Sequence, residues 1–314
     1  MSTKIAIFAN NLIINMGFFK RHTGRASYDL LSNYSHFVPG FSDLIWIILL
    51  MILGTVLGSV LISVFALLGH MEAAMKYGFL IAYPLMFIPA MLFASAKSRK
   101  NDGFEVGYKL DNNNFGSHKG LTMAFVAFAM SIATAFIIEP ISMLMPEMSE
   151  SMKMKMSMIM EGPAWATFIS VSIFAPFFEE WLCRGIVMRG MMKKVGPMWA
   201  IVISAAFFAL IHMNIWQAIP AFLMGLVFGY VYYKTGSLKL TMLMHFANNT
   251  MAFVVSMIPS LKDAEYFSDI LSPWAYGGVY GMAVITLVFG FILLKGIPQK
   301  EGNLGGCEKI DSVF

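Results

Sequence analysis

The chain has 314 residues, of which 58% are hydrophobic and 13% are charged, and its mean hydropathy is +0.69. This balance excludes an ordinary soluble globular domain and indicates a protein embedded in a lipid bilayer. The formal net charge of +4 is distributed over helix ends without forming a clustered basic stripe, so we expect no nucleic-acid partner.

Apolar stretches of about twenty residues recur along the chain, and this is the length that an α-helix needs to cross a hydrocarbon core. Lipid offers no partners for backbone polar groups, so such stretches are expected to be helical. We therefore predict an all-α polytopic membrane bundle of about eight transmembrane helices. The expected spans are 44–69, 78–96, 121–144, 164–190, 198–214, 216–233, 240–258 and 274–294.

The lysines and arginines predict the orientation of these spans, because basic residues are retained on the cytoplasmic side. With the N-terminus placed inside, the outer loops hold only four of the 22 basic residues, namely Lys76, Lys153, Lys155 and Lys262. Both termini are therefore expected to be cytoplasmic. We expect a multi-pass integral protein of a bacterial plasma membrane.

Three parts of the chain are expected: a cytoplasmic or interfacial N-terminal segment, the transmembrane bundle and a cytoplasmic tail, at 1–43, 44–297 and 298–314. Asparagines interrupt the apolar stretch Ile5–Phe19, and no small-residue cleavage site follows it, so we do not predict a signal peptide. Cys183 inside a span and Cys307 in the tail are too differently placed to form a disulfide framework.

Charged groups inside a span cost several kcal/mol each and therefore mark candidate functional sites. In the fourth span Glu180 and Arg184 are four residues apart, so they share a helix face and can form an ion pair. Glu179 lies about 100° further round the helix and needs another partner, water or a proton. A dry site raises the proton affinity of a carboxylate, which suits a general base. The structural alternative is that all three residues form one network that locks helices together.

Two further polar clusters occupy later spans. Phe208 and His212 are four residues apart in the fifth span, and His245 and Asn249 are four apart in the seventh. An imidazole and an amide on one face can both donate hydrogen bonds, although each could simply join neighbouring helices. Three clusters on three spans favour a reactive site, because any member left unpaired would be costly.

Depth along the helices offers a partial check on this grouping. At about 1.5 Å per residue, Glu179 lies about 20 Å and His212 about 25 Å from the inner surface, so these two can meet. His245 lies only about 9 Å beyond Lys239 by the same count. Helix tilt, snorkelling of Lys239 or a water-filled cavity would have to close this gap.

The three motifs occur in order as E-E-x-x-x-R, F-x-x-x-H and H-x-x-x-N, at Glu179 to Arg184, Phe208 to His212 and His245 to Asn249. Together they resemble the CPBP or Abi family of intramembrane proteases, which includes the type II CAAX prenyl endopeptidases. The resemblance covers about residues 160–255, and the ensemble is specific although each motif alone is weak.

The resemblance implies an intramembrane endopeptidase and assigns roles by position. Glu179 and His212 would activate the hydrolytic water, while His245 and Asn249 would stabilise the tetrahedral oxyanion. Substrates in the family range from prenylated C-terminal tails to bacteriocin-related peptides. We therefore expect a peptide or protein substrate associated with the lipid bilayer.

The resemblance further implies that Glu180 and Arg184 orient the site. Members of the family have also been described as metalloproteases, and Glu179, His212 and His245 could supply three ligands to a zinc ion with an open fourth position. No H-E-x-x-H motif is present, so we favour a reaction without a cofactor and keep zinc as the alternative.

Other classes of function remain open. A proton-coupled secondary transporter would use Glu179 and Glu180 as coupling carboxylates, although no internal repeat is visible. A non-catalytic immunity or scaffold protein of the membrane could retain the motifs without the activity. A nucleophilic role for Cys183 is disfavoured, because a buried thiol near two carboxylates makes a poor thiolate.

Overall fold

A computed structural model describes residues 30–310 of the chain, except 103, 161, 260, 262, 263 and 265. The described residues are predominantly helical, and two isolated bridges are their only β pairings. The apolar stretch Ile5–Phe19 lies outside the described residues, as do most of the predicted N-terminal segment and the last four residues of the tail.

Within the described residues a helix lies at each of the eight predicted spans, and one more α-helix, α4, lies in the linker before the fourth span. The helices are α1 Phe41–Phe65, α2 Met71–Asn101, α3 Gly120–Met143, α4 Glu150–Met160, α5 Ala164–Val195, α6 Pro197–Leu210, α7 Ile215–Thr235, α8 Leu238–Met257 and α9 Pro273–Lys295. The all-helical class is thereby confirmed for the described residues.

Five helical segments among the described residues are long and apolar enough to cross a membrane, at Phe41–Asn101, Gly120–Met143, Ala164–Val195, Ile215–Thr235 and Pro273–Lys295. These segments support an integral membrane protein. The apolar helix α6 is shorter than this length. The count of eight crossings and the cytoplasmic location of both termini stay predictions.

The first of these segments is a helical hairpin. Gly69 has a φ of 95°, in the left-handed region that glycine adopts without strain, and this turns the chain between α1 and α2. The two helices then pack antiparallel. They approach so closely at Gly54 that a Cβ there would lie only 2.5 Å from the carbonyl oxygen of Leu85.

Contacts between loops occur at two ends of the bundle. At one end Lys109 N donates to Glu308 O at 2.9 Å, and Asn114 N donates to Thr235 O at 3.0 Å. At the other end the indole of Trp216 donates to the carbonyl of Pro146 at 2.8 Å. Residues 109, 114, 235 and 308, which all belong to segments predicted to be inner, therefore lie together at one end.

The start of α8 is buried at this end beneath residues 107–116 and the tail. Leu238 is fully buried, and Asp111 Oδ1 accepts from the backbone N of Lys239 at 3.1 Å. His245 therefore reaches the level of Glu180 although it lies only six residues beyond Lys239. The buried start of α8 explains why His245 lies deeper in the bundle than residue counting from Lys239 predicted. Cys307 of the tail packs here, and burial raises the pKa of its thiol.

Candidate active site

Helix α5 alternates between α-helical and π-helical turns around the two adjacent glutamates. An α-helical segment, Ala175–Glu180, lies between π-helical segments at Ile169–Phe174 and Trp181–Met188. Such π turns occur frequently at functional sites. A neighbouring helix supports the second π segment, where Ser204 Oγ donates to the carbonyl of Cys183 at 2.8 Å.

Glu180 and Arg184 form the predicted ion pair. Both side chains are fully buried, and Glu180 Oε1 accepts from Arg184 Nη1 at 2.6 Å. The guanidinium also donates from Nη2 to the carbonyl of Gly225 at 3.1 Å and lies 4.7 Å from the ring centroid of Phe208. The charge of Glu180 is therefore balanced by a partner on its own helix.

Glu179 is almost as buried but has different partners, as its position on the helix predicts. The hydroxyl of Tyr83 donates to its Oε1. Its Oε2 is buried without a hydrogen-bond partner and lies 3.9 Å from His245 Nε2. Glu179 thus keeps one acceptor oxygen unused, which is the property a general base requires.

His245 connects the two carboxylates. Its Nδ1 donates to Glu180 Oε1 at 3.1 Å, which leaves Nε2 on the side of Glu179. The imidazole is 4% exposed and packs edge-on against Phe208, with ring centroids 5.4 Å apart. The structure therefore brings three of the predicted polar residues, Glu179, Glu180 and His245, into one buried cluster.

His212 lies beside this cluster and outside α6. The helix ends at Leu210, four residues before the end of the predicted span, and Asn214 then caps α7 by accepting from Gln217 N. His212 occupies the turn between them, where its Nδ1 bonds to the carbonyl of Phe208 at 2.8 Å. It makes no hydrogen bond or ion pair with Glu179 or His245 within the described part of the chain.

Asn249 joins α8 to the first π segment of α5. Its Nδ2 donates to the carbonyl of Val171 at 2.8 Å, and its Oδ1 accepts from Asn248 Nδ2 at 3.1 Å. A carboxamide has two N–H groups, so one donor remains for another acceptor. The residue is half-buried and lies one helical turn beyond His245.

The three residues considered as zinc ligands do not fit a metal site in this arrangement. Glu179 and His245 lie together, but the Phe208 ring packs edge-on against both imidazoles, 5.1 Å from His212 and 5.4 Å from His245. No group of three or more His, Cys, Asp or Glu side chains among the described residues could hold a metal ion. The metalloprotease alternative is therefore not supported by the positions of these side chains.

Sequence reasoning missed Tyr83, which lies on α2, far from the motifs. One signal was available, since Tyr83 is a hydroxyl-bearing residue in an otherwise apolar stretch of the second predicted span and is followed directly by Pro84. Nothing in the sequence linked this hydroxyl to Glu179, which is 96 residues away.

Two cavities open at the ends of the bundle, and neither is lined by Glu179. One of about 610 Å³ lies at the end that holds Lys193 and Lys194. The other, of about 320 Å³, is lined by Asn248, Glu139 and Tyr266. The second cavity thus reaches the residue next to Asn249.

Comparison with known proteins agrees with the motifs. Residues 161–251 match the family model for Rce1-like type II CAAX prenyl endopeptidases. The matched segment contains every motif residue from Glu179 to Asn249 but excludes Tyr83. No curated protein and no solved structure matches the chain. The predicted resemblance is confirmed for this segment.

Proposed function

We propose that this chain, which carries an Rce1-like segment at residues 161–251, is an intramembrane endopeptidase that hydrolyses a peptide bond of a membrane-associated substrate. The observation that carries the proposal is the unequal use of two adjacent buried carboxylates. Each carboxylate has an Oε2 without a hydrogen-bond partner, but Glu180 is paired with Arg184, whereas Glu179 has no arginine or lysine partner among the described residues and its Oε2 lies 3.9 Å from His245 Nε2.

Glu179 is proposed as the general base. Its free Oε2 would accept a proton from the attacking water and later return it to the amine leaving group. We propose that His212 contacts the same water through Nε2. Its Nδ1 donates to the Phe208 carbonyl, so in the neutral ring Nε2 is the nitrogen that can accept a hydrogen bond. Contact between these groups and the water would form in the substrate complex, where catalytic hydrogen bonds often tighten.

His245 and Asn249 are proposed as the oxyanion donors. The bond from His245 Nδ1 to Glu180 leaves Nε2 facing the site, where it donates in the protonated form. Asn249 would use the N–H that is not bonded to Val171. An oxyanion donor of this kind contributes roughly 3 to 4 kcal/mol to catalysis. Glu180 and Arg184 orient the site by holding His245.

The experiment is peptide cleavage by the purified protein in phospholipid vesicles. Two fluorogenic peptides with the same C-terminal C-a-a-X sequence are compared, one with its cysteine prenylated and one without the lipid, and products are identified by mass spectrometry. We expect cleavage that Glu179→Gln abolishes. Preference for the prenylated peptide would assign a CAAX-type substrate.

Glu139→Gln is the matched control for this experiment. Glu139 is another buried helical glutamate, but it accepts from the backbone N of Phe267 at 3.0 Å and of Ser268 at 3.1 Å, and it makes no hydrogen bond or ion pair with Glu179, Glu180 or His245 among the described residues. Its substitution should leave cleavage intact. Equal cleavage by the wild type and by Glu179→Gln would contradict the proposal.

A further inference from the structure

We infer that Tyr83 is a positioning residue for Glu179, so that the site is completed by a helix outside the Rce1-like segment. The inference rests on the proposed function of Glu179 as the base. It adds a residue of α2 to a set of site residues that otherwise lies entirely within residues 161–251.

The hydrogen bond from Tyr83 distinguishes the two oxygens of the Glu179 carboxylate. A phenol has one hydrogen to donate, and here it is donated to Oε1. Oε2 has no hydrogen-bond partner and is the oxygen that lies 3.9 Å from His245 Nε2. Tyr83 therefore fixes the rotation of the carboxylate so that its free oxygen stays on the reactive side.

The position of Tyr83 is itself set by packing between α2 and α5. Its ring contacts Phe79 and Phe87, with centroids 5.3 and 5.6 Å away. Phe87 is fully buried and stacks on Phe178 at 5.2 Å, and Phe178 directly precedes Glu179. Helix α2 thus holds both the carboxylate and the residue next to it in the chain.

The nearby side chains of Arg184 and His245 direct their hydrogen bonds to other acceptors. Arg184 donates to Glu180 and Gly225, and His245 Nδ1 donates to Glu180. Among the described residues, Tyr83 is the only one that donates a hydrogen bond to the carboxylate of Glu179.

The first test is the kinetics of Tyr83→Phe, which keeps the ring and removes the hydroxyl. We expect kcat to fall roughly 10- to 100-fold, because the reacting group loses its orientation, while KM changes by less than about twofold. Tyr77→Phe is the matched control, since Tyr77 lies on the same helix with its ring 5.9 Å from that of Trp165 and makes no hydrogen bond to Glu179. This control should retain wild-type kinetics.

The second test does not depend on cleavage. The infrared carboxylate band of Glu179 is identified as the band that disappears in Glu179→Gln. Loss of its hydrogen bond should shift this band in Tyr83→Phe and leave it unchanged in Tyr77→Phe. Wild-type kcat and an unshifted band in Tyr83→Phe would overturn the inference while leaving the proposed function intact.

Two further outcomes are informative. Lower thermal stability of Tyr83→Phe with an unshifted band would show that the residue only packs, and this also overturns the inference. A shifted band in a protein whose wild type cleaves neither peptide would overturn the proposed function, and with it the catalytic meaning of the hydrogen bond.

Discussion

Two fully buried arginines lie five residues apart on α5, and the protein accommodates their charges in different ways. Arg184 is paired with the carboxylate of Glu180. Arg189 has no carboxylate partner within the described residues and donates instead to backbone carbonyls, those of Tyr34 and Phe37 at 2.8 Å, Ser35 at 3.4 Å and Tyr108.

Each arginine has a buried Nε without a hydrogen-bond partner, and their surroundings differ in unused acceptor oxygens among the described residues. Near Arg184, Oε2 of Glu179 and Oε2 of Glu180 are buried without partners. Around Arg189, carbonyl groups from two separate segments of the chain converge on one guanidinium. Buried acceptors without partners are costly unless a substrate or water uses them, so the first region has the features of a reactive site. The second has those of a structural junction.

The largest expected effect on cleavage comes from replacing the carboxylate of Glu179 in the region around Arg184. Glu179→Gln keeps the shape of the side chain and removes the proton acceptor, so cleavage should fall by roughly 10² to 10⁴. Folding and membrane insertion should survive, as measured by yield and thermal unfolding. Cys183→Ala, four residues along the same helix, should keep its activity, and a large loss there would favour a nucleophilic cysteine.

The next effect is expected from breaking the ion pair. Glu180→Gln leaves Arg184 buried without its anion, and Arg184→Ala leaves Glu180 without its cation. Removing one partner of a buried pair costs about 3 to 5 kcal/mol, so both variants should lose stability as well as activity. Denaturant unfolding together with cleavage assays measures both losses. If Glu180→Gln folded normally but was inactive while Glu179→Gln stayed active, Glu180 would take the catalytic role.

A smaller effect, confined to stability, is expected at the structural junction. Arg189→Met keeps much of the buried volume but removes the guanidinium that donates to the carbonyls of Tyr34, Ser35, Phe37 and Tyr108. We expect a loss on the order of 3 kcal/mol in the free energy of unfolding, with kcat of the folded protein within about twofold of wild type. Lys193→Met is the control, because Lys193 is exposed at the same end of the bundle and should tolerate the change. A selective loss of kcat in Arg189→Met would remove the distinction between the two regions.

The smallest effect is expected from removing metal ions. The arrangement of Glu179, His212 and His245 does not fit a three-ligand site, so cleavage should persist after treatment with a chelator, and elemental analysis should find no stoichiometric zinc. One equivalent of zinc with chelator-sensitive cleavage would revive the metal-dependent mechanism. It would leave the assignment as a peptidase intact.

The sequence by itself determined the helical membrane class, the position of each long helix and the pairing of Glu180 with Arg184. These features are local. A run of about twenty apolar residues must be helical in lipid, and residues four apart on a helix are neighbours whatever packs around them. The same local rule placed Glu179 away from Arg184 and left it without a partner on its own helix.

Only the tertiary structure decided which residues from other parts of the chain contact the residues on those helices. Tyr83 donates to Glu179, Arg189 donates to carbonyls of the segment Tyr34–Phe37 other than that of His36, and Asn249 donates to Val171. Each contact joins residues far apart in the chain and depends on which helices are neighbours. The end of α6 before His212 follows from the capping of α7, and the depth of His245 follows from the buried start of α8. Periodicity and hydropathy describe one helix at a time, so they could not supply these relations.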